Sequence, residues 1–474
     1  MLQVSDSEIN QRLREENPWW AAGAGIDGGH ADYPRRAYLG PFYRLIRADD
    51  PQRALLLLGP RRVGKTIMVF HAIDRLLAEG VPGRDILYVS LETPTYFNQG
   101  LDSLLRRFSG LFERPAGTPL YVFFDEIQYL KGWEVHLKSL VDSQRSARIV
   151  ATGSAAAALK HKSVESGAGR FTEFVLPPLT FFEYLRFLGA EDDLIIEDED
   201  RTDASRFRAR DIHALNDAFV AYVNFGGYPE AVFSEAVRRN ARRYIKSDII
   251  DKVLLRDLPS LYGISDVQEL NSLFNTLAYN SAQEISVEAL AHSSGVSKPT
   301  IAKYLEYLEA AFLIKRLRRV DENAARFRKA MTFKVYLTNP TMRAALFAPL
   351  KADDAALGHL VETAVFSQWL HNADYIDSLH YARWKKGEVD LVSLDARQRP
   401  RFAVEVKWSD RAASDAKEIR ALLDFARTNP LQRRPLVTTR TASALQEWDG
   451  ISVEFTPAAL HCYTVGRNTL ERSR

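Results

Sequence analysis

Four short apolar runs, separated by helical patterns, constrain most strongly what this chain can fold into. They are ALLLLG (54–59), DILYVSLE (85–92), LYVFFDEIQ (120–128) and ARIVATGS (147–154). Runs that are apolar on both faces are typical of parallel strands covered by helices on both sides of a sheet. Because helical patterns lie between the runs, we expect the N-terminal region to be α/β with a parallel sheet.

The segment GPRRVGKT follows the first run and matches the phosphate-binding pattern G-x-x-x-x-G-K-[ST]. Glycines in such a loop let backbone N–H groups surround phosphates, and the N-terminus of the next helix adds positive charge. We expect Lys65 to reach the outer phosphates and Thr66 to bind Mg²⁺, which predicts ATP and Mg²⁺ as cofactors. A glycine turn without a ligand is the alternative. The predicted nucleotide-binding residues are Gly59, Pro60, Arg61, Arg62, Val63, Gly64, Lys65 and Thr66.

Two acidic residues end the third run, where ligands bind in open α/β sheets. We expect Asp125 to hold Mg²⁺ and Glu126 to polarise the attacking water. The alternative is that both acids only cap a strand. Thr152 or Ser154, at the end of the fourth run, either senses the γ-phosphate or is a turn hydroxyl.

Arg170 follows in the segment SGAGRF. An arginine can stabilise the charge that develops in phosphoryl transfer, from the same chain or across the subunit boundary of a homo-oligomer. A surface salt bridge is the alternative role for this residue.

These motifs together resemble a widespread group of bacterial and archaeal AAA-type ATPases. The segments that carry the resemblance are GPRRVGKT, FFDEIQYLKGWEVHLKSLVD, ATGSAAAALK, GAGRFTEFVLPPLTFFEYL and NFGGYPEAV, in the order of the group. The group joins an N-terminal ATPase domain to a C-terminal domain long left without a function. The resemblance implies ATP hydrolysis with Lys65, Thr66, Asp125 and Glu126 in the roles above, and a nucleotide-responsive Arg170.

A helix-turn-helix pattern is predicted between residues 284 and 320. Ser286 and Ser297 are expected to cap its two helices, with Gly295 in the turn. The segments FLIKRLRR and MTFKVYLTN would form a wing, and residues 315–334 carry eight basic residues against two acidic ones. This charge favours DNA over an assembly role for the winged helix. The predicted DNA contacts are Lys298, Thr300, Lys303, Arg318 and Arg319.

Near the C-terminus, GEVDLV and RFAVEVKW read as two strands that place Asp390, Glu405 and Lys407 on one face. Two carboxylates can bind Mg²⁺, and the lysine can help to activate water, as in the PD-(D/E)xK nucleases that this segment resembles. Glu362, on the preceding predicted helix, fits the additional acidic ligand of many of those nucleases. One departure is that Val389 replaces the proline before the aspartate. The alternative is a ladder of ion pairs without a metal.

The length of 474 residues indicates about three domains. A single cysteine, Cys462, allows no internal disulfide and favours a cytoplasmic protein, and no apolar run is long enough to predict a membrane partner. The expected fold class is α/β, with a parallel-sheet ATPase domain, a helical lid, a winged helix-turn-helix and a C-terminal α/β nuclease-like domain. The predicted domains are an N-terminal segment (1–50), a P-loop AAA-type ATPase core (51–178), a helical lid (179–264), a winged helix (265–340) and a nuclease-like α/β domain (341–474).

The function expected from these features is that of an ATP-hydrolysing AAA-type protein acting on DNA, with a Mg²⁺-dependent nuclease-like C-terminal domain. A second reading is an ATP-driven assembly switch or a DNA- or protein-binding regulator whose nuclease-like domain is inert. A third reading is an ATPase that remodels peptides or proteins.

Overall fold

The computed structural model describes residues 4–48, 53–97, 99–112, 118–154, 169–198, 206–325 and 332–472. The chain divides into two compact units, with the boundary between Leu176 and Pro177. No helix among these residues is long and apolar enough to cross a membrane.

The first unit is built on a five-stranded sheet in the order β2-β3-β4-β1-β5, in which all neighbours are parallel. This confirms the predicted parallel sheet. The strands are β1 Ala54–Leu58, β2 Ile86–Ser90, β3 Leu120–Asp125, β4 Ala147–Gly153 and β5 Phe171–Val175. The sequence reading missed β5, because this edge strand alternates buried with more exposed residues and lacks the all-apolar signal of the other four.

Helices flank the strands of the first unit. The helix Lys65–Ala78 follows β1 and buries an apolar stripe that includes Met68, Val69 and Ile73. The helix Asp6–Glu16 begins with a capping box between Ser5 and Glu8. The other helices are Gly28–Ala31, Leu39–Arg47, Leu101–Leu111 and Trp133–Ser143.

The second unit contains a nine-stranded mixed sheet in the order β15-β16-β14-β13-β12-β11-β9-β10-β8. The two remaining strands, β6 Ile195–Glu197 and β7 Phe207–Ala209, form a separate antiparallel pair. The strands of the large sheet are β8 Glu284–Ser286, β9 Ile314–Val320, β10 Thr332–Leu337, β11 Leu379–Trp384, β12 Gly387–Leu394, β13 Pro400–Glu405, β14 Leu436–Thr439, β15 Ala444–Trp448 and β16 Ile451–Pro457.

Helices surround this sheet, and those of the helix-turn-helix pattern lie where the sequence places them. Ser286 caps the helix Val287–Ser294, and Ser297 caps the helix Lys298–Ala310. Between residues 242 and 257 the chain is π-helical, where the sequence predicted ordinary helix. The remaining helices are Phe181–Leu188, Glu191–Leu194, Ile212–Phe225, Pro229–Phe233, Glu235–Arg239, Leu258–Tyr262, Val267–Tyr279, Thr341–Leu346, Leu357–Trp369, Ala373–Ile376, Arg420–Thr428 and Ala458–Arg472.

The strands expected to form a separate wing are part of the large sheet. β9 and β10 pair with each other as a wing would, but β9 also pairs in parallel with β11 from the C-terminal region. Strands from both sides of the expected boundary at residue 340 therefore share one sheet. The pairing gives the outer backbone groups of β9 hydrogen-bond partners that an isolated wing would leave to water.

Candidate functional site

The phosphate-loop sequence connects β1 to the helix Lys65–Ala78, which is the context that the motif requires. Gly64 caps this helix with φ 93°, a left-handed conformation that favours glycine. At Gly59 an added Cβ would lie 2.3 Å from the backbone oxygen of Leu176, so only glycine fits there. Both motif glycines thus have a backbone reason for their positions.

The Lys65 side chain is buried and lies along the inside of the loop. Its Nζ donates hydrogen bonds to the carbonyl oxygens of Gly59 at 3.2 Å and Pro60 at 2.8 Å. The loop is also held from outside, because Arg36 Nη1 donates to the Val63 carbonyl oxygen at 2.7 Å. Sequence reasoning missed Arg36, since it lies in a connecting segment far upstream of the motif and carries no pattern of its own.

Asp125 is the centre of a buried network of hydroxyl groups at the end of β3. Its Oδ2 accepts hydrogen bonds from Thr66 Oγ1 at 2.8 Å and from Tyr88 OH at 3.0 Å, and its Oδ1 accepts one from Thr152 Oγ1. Burial raises the pKa of the Asp125 carboxyl and the nearby Glu126 adds to this effect, while the hydroxyl donors oppose it. Thr66 and Asp125 offer the oxygen ligands that Mg²⁺ prefers, so the predicted pair fits this ion.

Glu126 follows Asp125 in a left-handed conformation, with φ 53°. Such a conformation costs about 1–3 kcal/mol for a residue other than glycine and is concentrated at functional sites. Its backbone N–H donates to Thr152 Oγ1 at 3.0 Å, and its carboxylate accepts a hydrogen bond from the side-chain amide of Gln128. The sequence reading assigned no role to Gln128, although it lies in the same DEIQ segment.

Thr152 and Ser154 have different surroundings. The Thr152 hydroxyl is already used, because it bridges Asp125 and the backbone of Glu126. The Ser154 side chain is fully buried, and its Oγ has no hydrogen-bond partner among the described residues. Its backbone N–H donates to Gln128 Oε1 at 3.2 Å. Of the two, Ser154 is therefore the one with a free hydroxyl.

Arg170 and the phosphate loop of its own chain lie at opposite ends of the strands. The Arg170 carbonyl oxygen accepts a hydrogen bond from the Ala54 N–H, at the start of β1, whereas the loop follows Leu58 at the other end. The four residue steps between these ends span about 13 Å. The half-exposed guanidinium forms a 2.6 Å salt bridge with Asp142.

In the second unit, two of the three carboxylates predicted to bind a metal, Glu362 and Asp390, lie against a buried lysine. The Lys334 Nζ, contributed by β10, lies 2.8 Å from Glu362 Oε1, 2.7 Å from Glu388 Oε1 and 2.9 Å from Asp390 Oδ1. The Lys334 side chain is only 2% exposed. We call Lys334, Glu362, Glu388 and Asp390 the lysine–carboxylate cluster.

The pKa values in this cluster follow from burial and mutual attraction. Burial opposes the charge of Lys334, but attraction to Asp390 and the other carboxylates outweighs it and raises the pKa well above the ordinary value. Burial and the Asp390 charge raise the pKa of Glu362 to about 7. For Asp390, Lys334 and a hydrogen bond from the Val406 N–H outweigh burial and lower the pKa.

Glu405 and Lys407 lie next to this cluster, at the end of β13. Lys407 Nζ lies 2.9 Å from Glu405 Oε1, and the Val406 N–H between them donates to Asp390 Oδ2 at 2.9 Å. Burial and the nearby Asp390 charge raise the pKa of Glu405. Its Oε2 is buried and has no hydrogen-bond partner among the described residues.

The sequence analysis correctly placed Asp390, Glu405 and Lys407 near one another, but it did not include Lys334. Among the described residues no group of three or more His, Cys, Asp or Glu side chains is arranged to hold a metal ion. That Glu362, Asp390 and Glu405 form one metal site stays a prediction, and the structure places an ammonium group between two of them. The lysine was missed because its strand was assigned to a separate wing.

The residues predicted to contact DNA differ in their surroundings. Lys303 and Arg318 are exposed, on the helix Lys298–Ala310 and on β9 respectively. Lys298 is exposed and forms a 2.7 Å salt bridge with Glu288. The hydroxyls of Thr300 and Ser297 form a hydrogen bond with each other at 2.8 Å. Arg319 Nε donates to the Arg383 carbonyl oxygen at 3.0 Å, which holds its side chain against the sheet.

Comparison with known protein families gives three successive matches along the chain. Residues 51–185 match the AAA domain family, residues 216–354 match a domain of unknown function (DUF8612), and residues 357–458 match another domain of unknown function (DUF4143). Together with the parallel sheet and the phosphate loop, the first match defines residues 51–185 as an AAA-type P-loop domain resembling ATPases.

Similar proteins exist in distant organisms. An uncharacterized protein of Haemophilus influenzae is 24% identical over 74% of this chain and 82% of its own length. The uncharacterized protein MJ1544 of Methanocaldococcus jannaschii is 25% identical over 78% of both chains.

Two solved structures show partial similarity to this chain. PCH-2 of Caenorhabditis elegans matches 58% of this chain and 66% of its own, with 13% identity and a TM-score of 0.27. The replication initiator DnaA, bound to AMPPCP and single-stranded DNA, matches 57% of this chain and 86% of its own, with 11% identity and a TM-score of 0.28.

The two hydroxyl residues at the end of β4 allow a matched test of the Asp125 network. Thr152→Val is expected to lower the free energy of unfolding by about 1–3 kcal/mol, because it leaves Asp125 Oδ1 and the Glu126 N–H without their donor and acceptor. Ser154→Ala removes a hydroxyl with no hydrogen-bond partner in the described part of the chain and is expected to change stability much less. Urea unfolding of the nucleotide-free protein measures both, and equal losses would contradict the described network.

Proposed function

We propose that this chain binds and hydrolyses ATP at the phosphate loop of its first unit. The observation that carries this proposal is the 2.8 Å hydrogen bond between Thr66 and Asp125, with Glu126 next to Asp125. It joins the last residue of the phosphate-loop motif to the acidic end of β3. A glycine turn beside a strand cap would need no such contact, whereas an ATP–Mg²⁺ site requires both residues at one point.

The residues around the loop support distinct roles in this reaction. Lys65 would exchange its contacts with the Gly59 and Pro60 carbonyl oxygens for contacts with phosphate oxygens. Thr66 and Asp125 would hold Mg²⁺, which neutralises charge on the phosphates when it is bound. Glu126, oriented by Gln128, would accept a proton from the attacking water. The free hydroxyl of Ser154 would donate a hydrogen bond to the terminal phosphate.

Substitutions at the loop and at Glu126 separate binding from hydrolysis. Lys65→Ala is expected to weaken nucleotide binding and to abolish turnover. Glu126→Gln is expected to retain binding and to lower kcat by about 10²–10⁴-fold, because it removes the base but not the phosphate contacts. ATP hydrolysis and binding of a fluorescent ATP analogue measure the two effects. Lys131→Ala, at an exposed position of the same unit, is the control, and unchanged hydrolysis in both site variants would refute the assignment.

Arg170 is proposed to act in a neighbouring copy of the chain. Its position at the start of β1 keeps it away from the phosphate loop of its own chain, which follows the end of β1. Its surface salt bridge with Asp142 can be exchanged for a phosphate contact. Surface ion pairs of this kind contribute little free energy, so the exchange has a low cost. A homo-oligomer would then be the active form.

Mixing two inactive variants tests this arrangement. Arg170→Ala subunits retain an intact loop, and Lys65→Ala subunits retain an intact Arg170. If Arg170 acts across a subunit boundary, the mixture is expected to recover part of the ATP hydrolysis that each variant lacks alone. Arg170→Lys, which keeps the charge but not the two-pronged geometry, is the matched control. Absence of recovery in a mixture shown to co-assemble would refute action across a subunit boundary, and unchanged hydrolysis by Arg170→Ala alone would place Arg170 outside catalysis.

We further propose that the helix-turn-helix of the second unit contacts DNA. The supporting observation is that two basic side chains, Lys303 and Arg318, are exposed on its second helix and on the strand that follows. Exposed cations on such elements are suited to DNA phosphates. Lys298, Thr300 and Arg319 would contribute after exchanging their present intramolecular contacts.

Substituting an exposed basic residue and substituting one in a salt bridge are expected to reduce DNA affinity by different amounts. Lys303→Ala and Arg318→Ala are each expected to weaken binding to duplex DNA and to reduce its salt dependence by about one ion per lost phosphate contact. Lys298→Ala is expected to have a smaller effect, because the Glu288 carboxylate 2.7 Å away offsets the charge that this lysine presents to DNA phosphates. Fluorescence anisotropy at several salt concentrations measures this. Unchanged affinity and slope in all three variants would indicate that these helices serve assembly.

For the C-terminal region we propose the reading in which the nuclease-like part is inert. Cleavage by Asp390, Glu405 and Lys407 would need a metal ion beside them, and the Lys334 ammonium in the lysine–carboxylate cluster is the observation that favours the inert reading. ATP turnover would then drive an assembly or DNA-binding switch rather than DNA cutting. Intact plasmid DNA after incubation with ATP and Mn²⁺ is the expected result, and cutting that requires Asp390 would refute it.

A further inference from the structure

We propose that Lys334 is a built-in cation that replaces the divalent metal ion in the second unit, and that this site accepts Mn²⁺ or Mg²⁺ only when the lysine charge is removed. The inference concerns the second unit alone and is independent of ATP hydrolysis in the first.

Carboxylates surround the ammonium group. A protonated lysine has three N–H donors and no acceptor. Lys334 Nζ has three carboxylate oxygens at 2.7–2.9 Å, one each from Glu362, Glu388 and Asp390. The contacts with Glu362 and Asp390 are hydrogen bonds, and the contact with Glu388 is an ion pair. The nitrogen therefore occupies the point where three carboxylates meet.

Hydrogen bonds and an ion pair with groups other than Lys334 also hold the carboxylates in this arrangement. Glu362 Oε1 accepts a second hydrogen bond, from Tyr336 OH at 2.7 Å. Asp390 Oδ2 accepts one from the Val406 N–H, and Glu388 Oε2 lies 2.5 Å from Arg383 Nη1. The carboxylates are thus oriented around the ammonium by partners on several elements.

A divalent ion would have to displace the ammonium in order to bind. Mg²⁺ binds oxygen at about 2.0–2.1 Å in near-octahedral geometry, so it would need the carboxylate oxygens to converge on the point where Nζ lies. A protonated lysine cannot be a metal ligand, and both cations together would place like charges at contact distance. Since the Lys334 side chain is buried, it has no open path to water from its present position.

Removing the lysine would leave a cation site. Three carboxylate oxygens that are all within 2.9 Å of one point would lose their shared cation. The buried Glu405 Oε2 has no hydrogen-bond partner among the described residues. It lies on the strand next to that of Asp390 and adds a further oxygen atom that could bind a metal ion. Oxygen donors around a buried, negatively charged cavity are what Mn²⁺ and Mg²⁺ prefer.

Counting bound Mn²⁺ in the full-length protein without nucleotide tests the proposal. Electron paramagnetic resonance of free Mn²⁺ gives the number of ions bound by the wild type and by Lys334→Ala, Lys334→Met and Asp390→Asn. We expect Asp390→Asn to bind as many ions as the wild type, and at least one of the Lys334 variants to bind one more. Adding Asp390→Asn to that variant is expected to remove the gain, and Lys334→Arg to show none.

Two results would overturn the proposal. One is a Mn²⁺ ion in the wild type that Asp390→Asn removes, because the cluster would then bind metal with its lysine present. The other is folded Lys334→Ala and Lys334→Met proteins, with wild-type ATP hydrolysis, that gain no Mn²⁺. If neither variant folds, the comparison of the wild type with Asp390→Asn still decides, since an equal count supports the proposal and a higher wild-type count refutes it.

Discussion

The buried carboxylate of Asp125 connects more of the first unit than any single apolar contact described above. Its hydroxyl partners come from the helix after β1, from β2 and from β4, so one side chain on β3 gathers the ends of neighbouring elements. An unpaired buried carboxylate would be costly, and each hydroxyl reduces that cost without adding charge. The same oxygen atoms can then be offered to a metal ion, because a neutral hydroxyl is released or shared more easily than a salt-bridge partner.

The second unit resolves a similar problem in the opposite way. There three carboxylates share the positive charge of Lys334, whose ammonium donates hydrogen bonds to Glu362 and Asp390 and forms an ion pair with Glu388. Removing one partner of a buried ion pair costs about 3–5 kcal/mol, so this arrangement is held firmly. Under the proposals above, the hydroxyl partners leave the carboxylate of the first site available to a metal ion, whereas the lysine occupies the second site. Two sites rich in carboxylates in one chain are thereby suited to different tasks.

The sequence predicted the parts of the fold whose signals are local. The four apolar strands, the serine caps at 286 and 297 and the phosphate loop depend on neighbouring residues, and they were placed nearly to the residue. The parts that failed depend on distant partners. β5 is an edge strand with a mixed pattern, and Arg36 acts on a loop that lies far along the chain. Lys334 was read as one of several basic wing residues, because nothing local shows that its strand joins the sheet of β12, with β9 and β11 between them.

The parallel pairing of β9 with β11 has a mechanical consequence for the second unit. These strands carry their hydrogen bonds side by side, so a force along the strands loads several bonds together rather than one after another. A force applied to the helices Val287–Ser294 and Lys298–Ala310 would be transmitted through β10 and β9 to the C-terminal strands. These two helices and the C-terminal strands should therefore move as one rigid body. Bending between them would break the backbone hydrogen bonds between β9 and β11.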